Sequence, residues 1–170
     1  EVSLSSGKEC SKALSLSGYN VLEFDFKSLN QFLNKVKDFR PDVVFNALHG
    51  RWGESGPFQG ILDTLKIPYT HSGVISSFNA MNKIISKKIF IKNKIKTPKF
   101  LSVKKIDHKK TTIRKIINNK KINFPIVLKP INEGSSLGVK ICNNEKKLLK
   151  SLNVLFKNYD EILLEEYIGG

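Results

Sequence analysis

What this sequence lacks narrows its chemistry first. Its two cysteines, Cys10 and Cys142, lie far apart and outside any CxxC spacing, so neither a zinc site nor a dithiol redox motif is indicated. Two reduced thiols in a cytoplasmic protein is the expectation. No apolar run is long enough to span a bilayer, and no pair of basic and apolar blocks marks a signal peptide. The first residue is Glu1 rather than methionine, which leads us to expect a fragment or a processed chain. No GxxxxGK[ST] occurs, so a Walker-type phosphate loop is excluded. Arginine is scarce as well: Arg40, Arg51 and Arg114 are the only three.

Basic charge, by contrast, is plentiful. The 170 residues carry a formal net charge of +14, which raises the question of nucleic acid. Basic binders of single strands concentrate their cations along one groove with aromatics to stack bases. Here the lysines are scattered, and lysine, asparagine and isoleucine are abundant together, the pattern of drift in an AT-rich genome. The charge is read as a solvated face, and specific nucleic-acid binding is not expected. A hydrophobic content of 40% with 26% charged residues fits a globular protein of one domain or two small ones.

The most informative stretch is Phe124-Pro-Ile-Val-Leu-Lys-Pro-Ile-Asn-Glu-Gly-Ser-Ser-Leu-Gly-Val139. Phe124 to Leu128 is a short apolar run that predicts a buried strand, with Lys129 at its end. Asn132 to Gly138 then supplies glycines that allow backbone N–H groups to wrap an anion, and hydroxyls as further donors. Val139 to Cys142 is expected to return as a strand. The design suits a phosphate, and an ordinary solvated hairpin fits the same residues.

Elsewhere the chain alternates. Helices are expected over Val2–Ser17 with Gly18 as C-cap, from an N-cap at Ser28 to Phe39, from Pro57 to Leu65, over Ser76–Lys92, over His108–Lys120 and over Asn144–Lys157. Strands are expected over Tyr19–Phe26, Asp42–Asn46, Lys66–Thr70, Lys99–Val103 and Glu161–Ile168, with a polar loop over Ala47–Gly56. Strands and helices in alternation predict an α/β fold whose first part is a parallel sheet covered by helices. The composition turns lysine-rich near Thr97, where a boundary is drawn between domains at 1–96 and 97–170. Polar loops at strand ends, Asn46 to Gly56 and Tyr69 to Val74, sit where open α/β sheets bind ligands.

Taken in order, Glu1-Val-Ser-Leu-Ser-Ser-Gly7, Asn46-Ala-Leu-His-Gly-Arg-Trp-Gly-Glu-Ser-Gly56, Tyr69-Thr-His-Ser-Gly-Val74, Ala80-Met-Asn-Lys83 and the Lys129 loop resemble the D-alanine–D-alanine ligase family of ATP-grasp enzymes. The resemblance runs the length of the chain. It implies an N-terminal parallel α/β domain followed by an incomplete ATP-grasp domain. It also implies the reaction: ATP phosphorylates the carboxylate of one D-alanine, and the amine of a second displaces the phosphate from the acylphosphate to give D-alanyl-D-alanine for peptidoglycan. By position, Glu1 matches the glutamate that holds the first D-alanine's ammonium group, supported by Ser135, and these two are the catalytic candidates. His49 and Glu54 match pocket-lining residues, while His71 and Ser72 shape their loop. Lys83 and Lys129 match lysines on the ATP phosphates, where fixed cations offset the charge of the transferred group. Glu133, Gly134, Ser135, Ser136 and Gly138 match the loop over the triphosphate. Glu165 matches the carboxylate that meets the adenine amino group, and Glu166 and Ile168 match backbone contacts to the ring edge.

There are departures. Trp52 stands where the family has a small or variable residue. The family's first strand precedes the match to Glu1, and its absence would leave neighbouring backbone groups unpaired. The ligands for Mg²⁺ or Mn²⁺ are expected beyond Gly170, with no metal residue inside this chain, so these residues alone are expected to be inactive. A cytoplasmic homodimer is implied, with D-alanine and ATP as its small molecules and neither membrane nor nucleic acid as partner. Another ATP-grasp ligase, such as a D-alanine–D-lactate type, shares the motifs. A non-enzymatic basic nucleic-acid-binding protein explains the charge but not the ordered loops.

Overall fold

A computed structural model of the chain describes residues 1–107 and 110–169. It forms two compact units, Glu1–Phe78 and Asn79–Gly170. The shift toward lysine near Thr97 falls inside the second unit.

The first unit opens with α1 (Val2–Leu16), which ends where Gly18 takes a left-handed φ of 87°. Helix α2 (Leu29–Phe39) begins at Ser28, whose hydroxyl accepts the Gln31 N–H, and closes on a left-handed Arg40 just ahead of Pro41. A four-residue helix, α3 (Arg51–Glu54), and then α4 (Pro57–Thr64) follow, the latter with proline in its first turn. The core joins Phe32, Phe58 and Leu62, with Phe24, Phe26, Val44 and Leu48 against them.

Three expectations change here. Residues 19–28 form no strand, although Phe24 and Phe26 each pack 5.8 Å from Phe32 and Phe26 lies 5.3 Å from Phe58. Alternating apolar residues record which side chains go inward, not whether the backbone finds a partner. The segments around Val44 and Tyr69 meet only in one parallel bridge, Val44 donating to Pro68 O and Thr70 to Val44 O. Pro68 itself has no N–H to extend that ladder. Meanwhile the loop expected over Ala47–Gly56 contains α3, because the Glu54 carboxylate reaches back to the Gly50 N–H at 3.0 Å and closes the turn. Trp52 on α3 is exposed and lies 6.1 Å from the Phe26 ring.

The helix expected over Ser76–Lys92 is two helices, α5 (Val74–Met81) and α6 (Lys83–Lys92). Asn82 breaks them. Its backbone is extended and its side-chain oxygen accepts the N–H groups of Ile84 and Ile85, the behaviour of an N-cap rather than of a helix interior. The division between the two units falls within α5.

The second unit is built on an antiparallel sheet of β1 (Phe100–Lys104), β2 (Ile126–Pro130), β3 (Lys140–Cys142) and β4 (Glu161–Glu166), in the order β1-β4-β2-β3. The ladder of β2 runs from Ile126 to Pro130, so Lys129 is within the strand and Phe124 outside it. Likewise β4 ends at Glu166, short of Ile168, where Tyr167 donates to Pro125 O instead of continuing the ladder. Period two sorts the strands. Leu101, Val103, Ile126, Leu128, Ile162 and Leu164 join one face with α8 (Glu145–Leu155) and α7 (Lys110–Lys120), whose Leu148, Leu152, Ile113 and Ile117 complete the core. The expected helix start at His108 lies outside the described residues. Phe100, Val127, Lys129, Leu163 and Glu165 fall to the opposite face by the same alternation.

Leu164 is fully buried on the central strand. Leu164→Ala is therefore expected to destabilise the protein by about 3 kcal/mol through a core cavity, measured as a lowered urea midpoint by far-ultraviolet circular dichroism.

Candidate functional site

The second unit gathers four of the expected residues. Strand register places Glu165 opposite Val127 on β2, with Lys129 two residues further along the same face, so the two side chains are diagonal neighbours. Lys129 Nζ donates to Glu165 Oε1. The other carboxylate oxygen, Oε2, is 2.9 Å from Lys87 Nζ on α6. Both oxygens of a carboxylate that is only 5% exposed are thus engaged by lysines. Burial alone would raise the Glu165 pKa, but hydrogen bonds from Lys129 and Lys87 and the charges of both outweigh it, and the net shift is downward.

Lys83 stands one helical turn before Lys87, and Asn82 sets it at the start of α6. Its N–H donates to Ile131 O at 3.0 Å, and its ammonium donates to Glu133 O, tying the helix start to the glycine loop. Burial, then the Lys129 charge, lowers the Lys83 pKa, with Glu133 and Glu165 offsetting part of the effect.

The loop itself has an unusual backbone. Ser135, Ser136 and Gly138 all take left-handed φ, at 47°, 59° and 73°. Tight turns close it, Leu137 N–H to Gly134 O and Val139 N–H to Ser136 O. At Gly138 a side chain would bring its first carbon within 2.7 Å of the Pro130 ring, so the position also needs glycine for space. Ser135 and Ser136 are solvent-exposed. Successive N–H groups in such a turn form an anion-binding concavity.

Glu166 and Ile168 are placed differently from each other. The Glu166 N–H is used within the fold, donating to Lys99 O at 2.9 Å, whereas Ile168 lies beyond β4 with its side chain exposed.

The first unit holds the second group. His49 is fixed by the start of α1: its N–H donates to Ser3 Oγ at 3.0 Å and its Nε2 is 3.0 Å from Ser6 Oγ. Its Nδ1 lies 3.6 Å from Glu54 Oε1, an ion pair when the imidazole is protonated. Beneath it, buried Asn46 and Gln59 both donate to Gly53 O, at 3.0 and 2.8 Å, while the Asn46 side-chain oxygen accepts the Leu48 N–H. Gly53 is forced, since a β-carbon there would lie 2.3 Å from Leu48 Cβ. Glu1 is exposed at the N-cap of α1 with no side-chain cap bond. His71 and Ser72 serve their own turn, His71 Nδ1 within 3.3 Å of Thr70 Oγ1 and Ser72 O accepting from Ser77.

Comparison with known proteins identifies relatives of the chain. A family described as D-ala D-ala ligase C-terminus matches residues 89–170. A D-alanine–D-alanine ligase of Pelagibacter ubique is 53% identical over 99% of this chain and 54% of its own length. Over its whole length the chain is similar to D-alanine–D-alanine ligases. Another such ligase, from Wolbachia pipientis wMel, is 44% identical over the whole chain and 51% of its own length. The crystal structure of the Bacillus anthracis ligase complexed with ATP superposes with a TM-score of 0.85 at 33% identity, over 99% of this chain and 54% of that one. The chain thus spans about half the length of the relatives it matches, and the ATP-grasp fold of those ligases is its fold.

Several residues of these two groups escaped sequence reasoning. Ser3 and Ser6 lay inside a quoted motif, but their partner His49 is distant in sequence. Asn46 and Gln59 were visible only as polar residues in or near a loop. For Lys87 the signal was present: an i, i+4 spacing from Lys83 puts both lysines on one helix face.

Because Glu165 is depressed when folded, the stability it contributes is present above its ordinary pKa of 4.5 and is lost as pH falls through the lower folded value. The stability gap between the parent protein and Glu165→Gln, from urea unfolding, is expected to hold at neutral pH and to shrink as pH falls below 4.5.

Proposed function

We propose that this chain takes part in ATP-dependent joining of two D-alanines to D-alanyl-D-alanine, as its relatives are named for doing. The observation that carries the reading is the convergence of Lys83 and Lys129 beside the left-handed glycine loop, with Lys83 on the Glu133 carbonyl and Lys129 on Glu165. That arrangement is built for a polyphosphate. In the proposed reaction the γ-phosphoryl group passes from ATP to a carboxylate oxygen of the first D-alanine, releasing ADP. The amine of the second then attacks the acyl carbon, and phosphate leaves as the peptide bond forms. Lys83 and Lys129 hold the phosphates and offset the charge that develops on the transferred group. Loop residues Glu133 to Gly138 cover them with backbone N–H groups. Adenine lies toward Glu165, Glu166 and Ile168, with Glu165 Oε1 shared between its amino group and Lys129. His49, Glu54 and Glu1 serve the D-alanine end, and Ser135 supports it. Residues 1–96 and 97–170 are assigned to the N-terminal and ATP-grasp domains.

Magnesium is part of such chemistry. When bound, it would supply charge neutralisation for the transferred phosphoryl group. Among the described residues no group of three or more His, Cys, Asp or Glu side chains comes together, and Glu165 is already taken by two lysines. These residues do not compose a metal site, and no step is assigned to one here. A cytoplasmic, homodimeric enzyme is the accompanying proposal. No helix among the described residues is long and apolar enough to cross a membrane.

The test is ADP release by the protein expressed from its complete reading frame, with ATP, Mg²⁺ and D-alanine against L-alanine, D-serine and D-lactate. Turnover with D-alanine alone and D-alanyl-D-alanine as product is expected, and Lys129→Met is expected to lower kcat/KM for ATP by roughly 100-fold. A preference for D-lactate or D-serine as second substrate would reassign the ligase type. A folded protein inert toward all four would sink the reading.

A further inference from the structure

The second unit contains a lysine for which the proposed reaction has no assigned use. Lys87 is 7% exposed. Its Nζ donates to Glu165 Oε2 at 2.9 Å, Thr97 Oγ1 at 2.7 Å and Pro98 O at 3.3 Å, and it lies 5.1 Å from the centroid of the Phe100 ring. Three acceptors use all three protons of an ammonium group. None is left for a ligand, so whatever Lys87 does is done through Glu165. Lys129 is situated otherwise. Its side chain is 31% exposed and meets Glu165 through Oε1, at the edge of the glycine loop.

The charges around Glu165 come from Lys83 and Lys87 on α6 and Lys129 on β2. If Lys129 were the only cation touching this buried carboxylate, withdrawing it toward an anion would strand a buried charge, which is costly. Lys87 removes that cost in advance. Its ammonium cannot leave, because Thr97, Pro98 and the Phe100 ring hold it from the other sides.

Building on the ATP reading, we propose that Lys87 is a positioning residue of the nucleotide site: by fixing Glu165 Oε2 and balancing its charge, it leaves the Lys129 ammonium available to the phosphates of ATP. The same contact holds Glu165 in one rotamer, so Lys129 is presented from a constant direction.

The experiment measures AMP-PNP and adenosine affinity by titration calorimetry on the protein expressed from its complete reading frame. The ratio of the two affinities isolates the phosphate contribution. Lys87→Met is expected to lower that ratio about tenfold, while Lys87→Arg, which keeps the charge, holds it near the parent value. The double variant Lys87→Met with Glu165→Gln removes the carboxylate together with its partner, leaves no unpaired buried charge, and is expected to restore the ratio. That double variant also decides the matter if Lys87→Met does not fold: a parent-like ratio supports the proposal and a tenfold fall overturns it. An unchanged ratio in folded Lys87→Met, with both probes weakened equally or neither weakened, overturns it as well. Failure of the unsubstituted protein to bind AMP-PNP would instead overturn the ATP reading on which the proposal stands, a result distinct from any produced by the variants.

Discussion

A carboxylate buried against a sheet is expensive unless cations accompany it, and the second unit is arranged around meeting that requirement for Glu165. The partners come from separate parts of the chain. Lys129 arrives on β2 and Lys87 on α6, while Thr97 and Pro98, on the approach to β1, hold Lys87 in place. Helix α6 is thereby tied by an ion pair to the face of the sheet that carries Glu165, whereas α7 and α8 pack on the other face through apolar contacts. Apolar contact tolerates small shifts, but a buried ion pair loses much of its worth when its geometry slips. The face that carries Glu165 therefore has the more demanding geometry of the two.

The first unit solves a smaller problem of the same kind. A loop rich in glycine has little to hold it, and here Asn46 and Gln59 clamp the Gly53 carbonyl from below while Ser3 and Ser6 hold His49 from α1. Hydrogen bonds to backbone and hydroxyls, rather than a sheet ladder, keep the loop in shape. The segments around Val44 and Tyr69 join through a single parallel bridge.

Much of this could be read from the residues. The strands of the second unit and the helices with apolar stripes follow from periodicity, and the order of five polar motifs carried the family. What could not be read has identifiable causes. Asn82 lies inside a plausible helical stripe, and only the backbone reveals that its side chain caps a new helix. Phe24 and Phe26 alternate like strand residues, yet aromatic packing accounts for them without a strand partner. Lys87 resembles any surface lysine until Thr97, Pro98 and Glu165 are brought around it. The ends of β2 and β4 were misplaced because Lys129 and Pro130 pair within β2 while Tyr167 leaves β4. Local pattern identifies an element, but its ends depend on partners that are distant in sequence.

The placement of Trp52 has an optical consequence. It is the chain's single tryptophan, and it sits in the first unit, mostly open to water and 6.1 Å from the Phe26 ring. Indole emission from this chain therefore reports on the α3 turn that also carries Glu54. The second unit has tyrosines, Tyr159 and Tyr167, but no indole. The first unit also holds Tyr19 and Tyr69, so the indole alone separates the two: emission excited at the red edge of aromatic absorption follows the His49 loop alone, with no label needed to separate it from the lysine cluster.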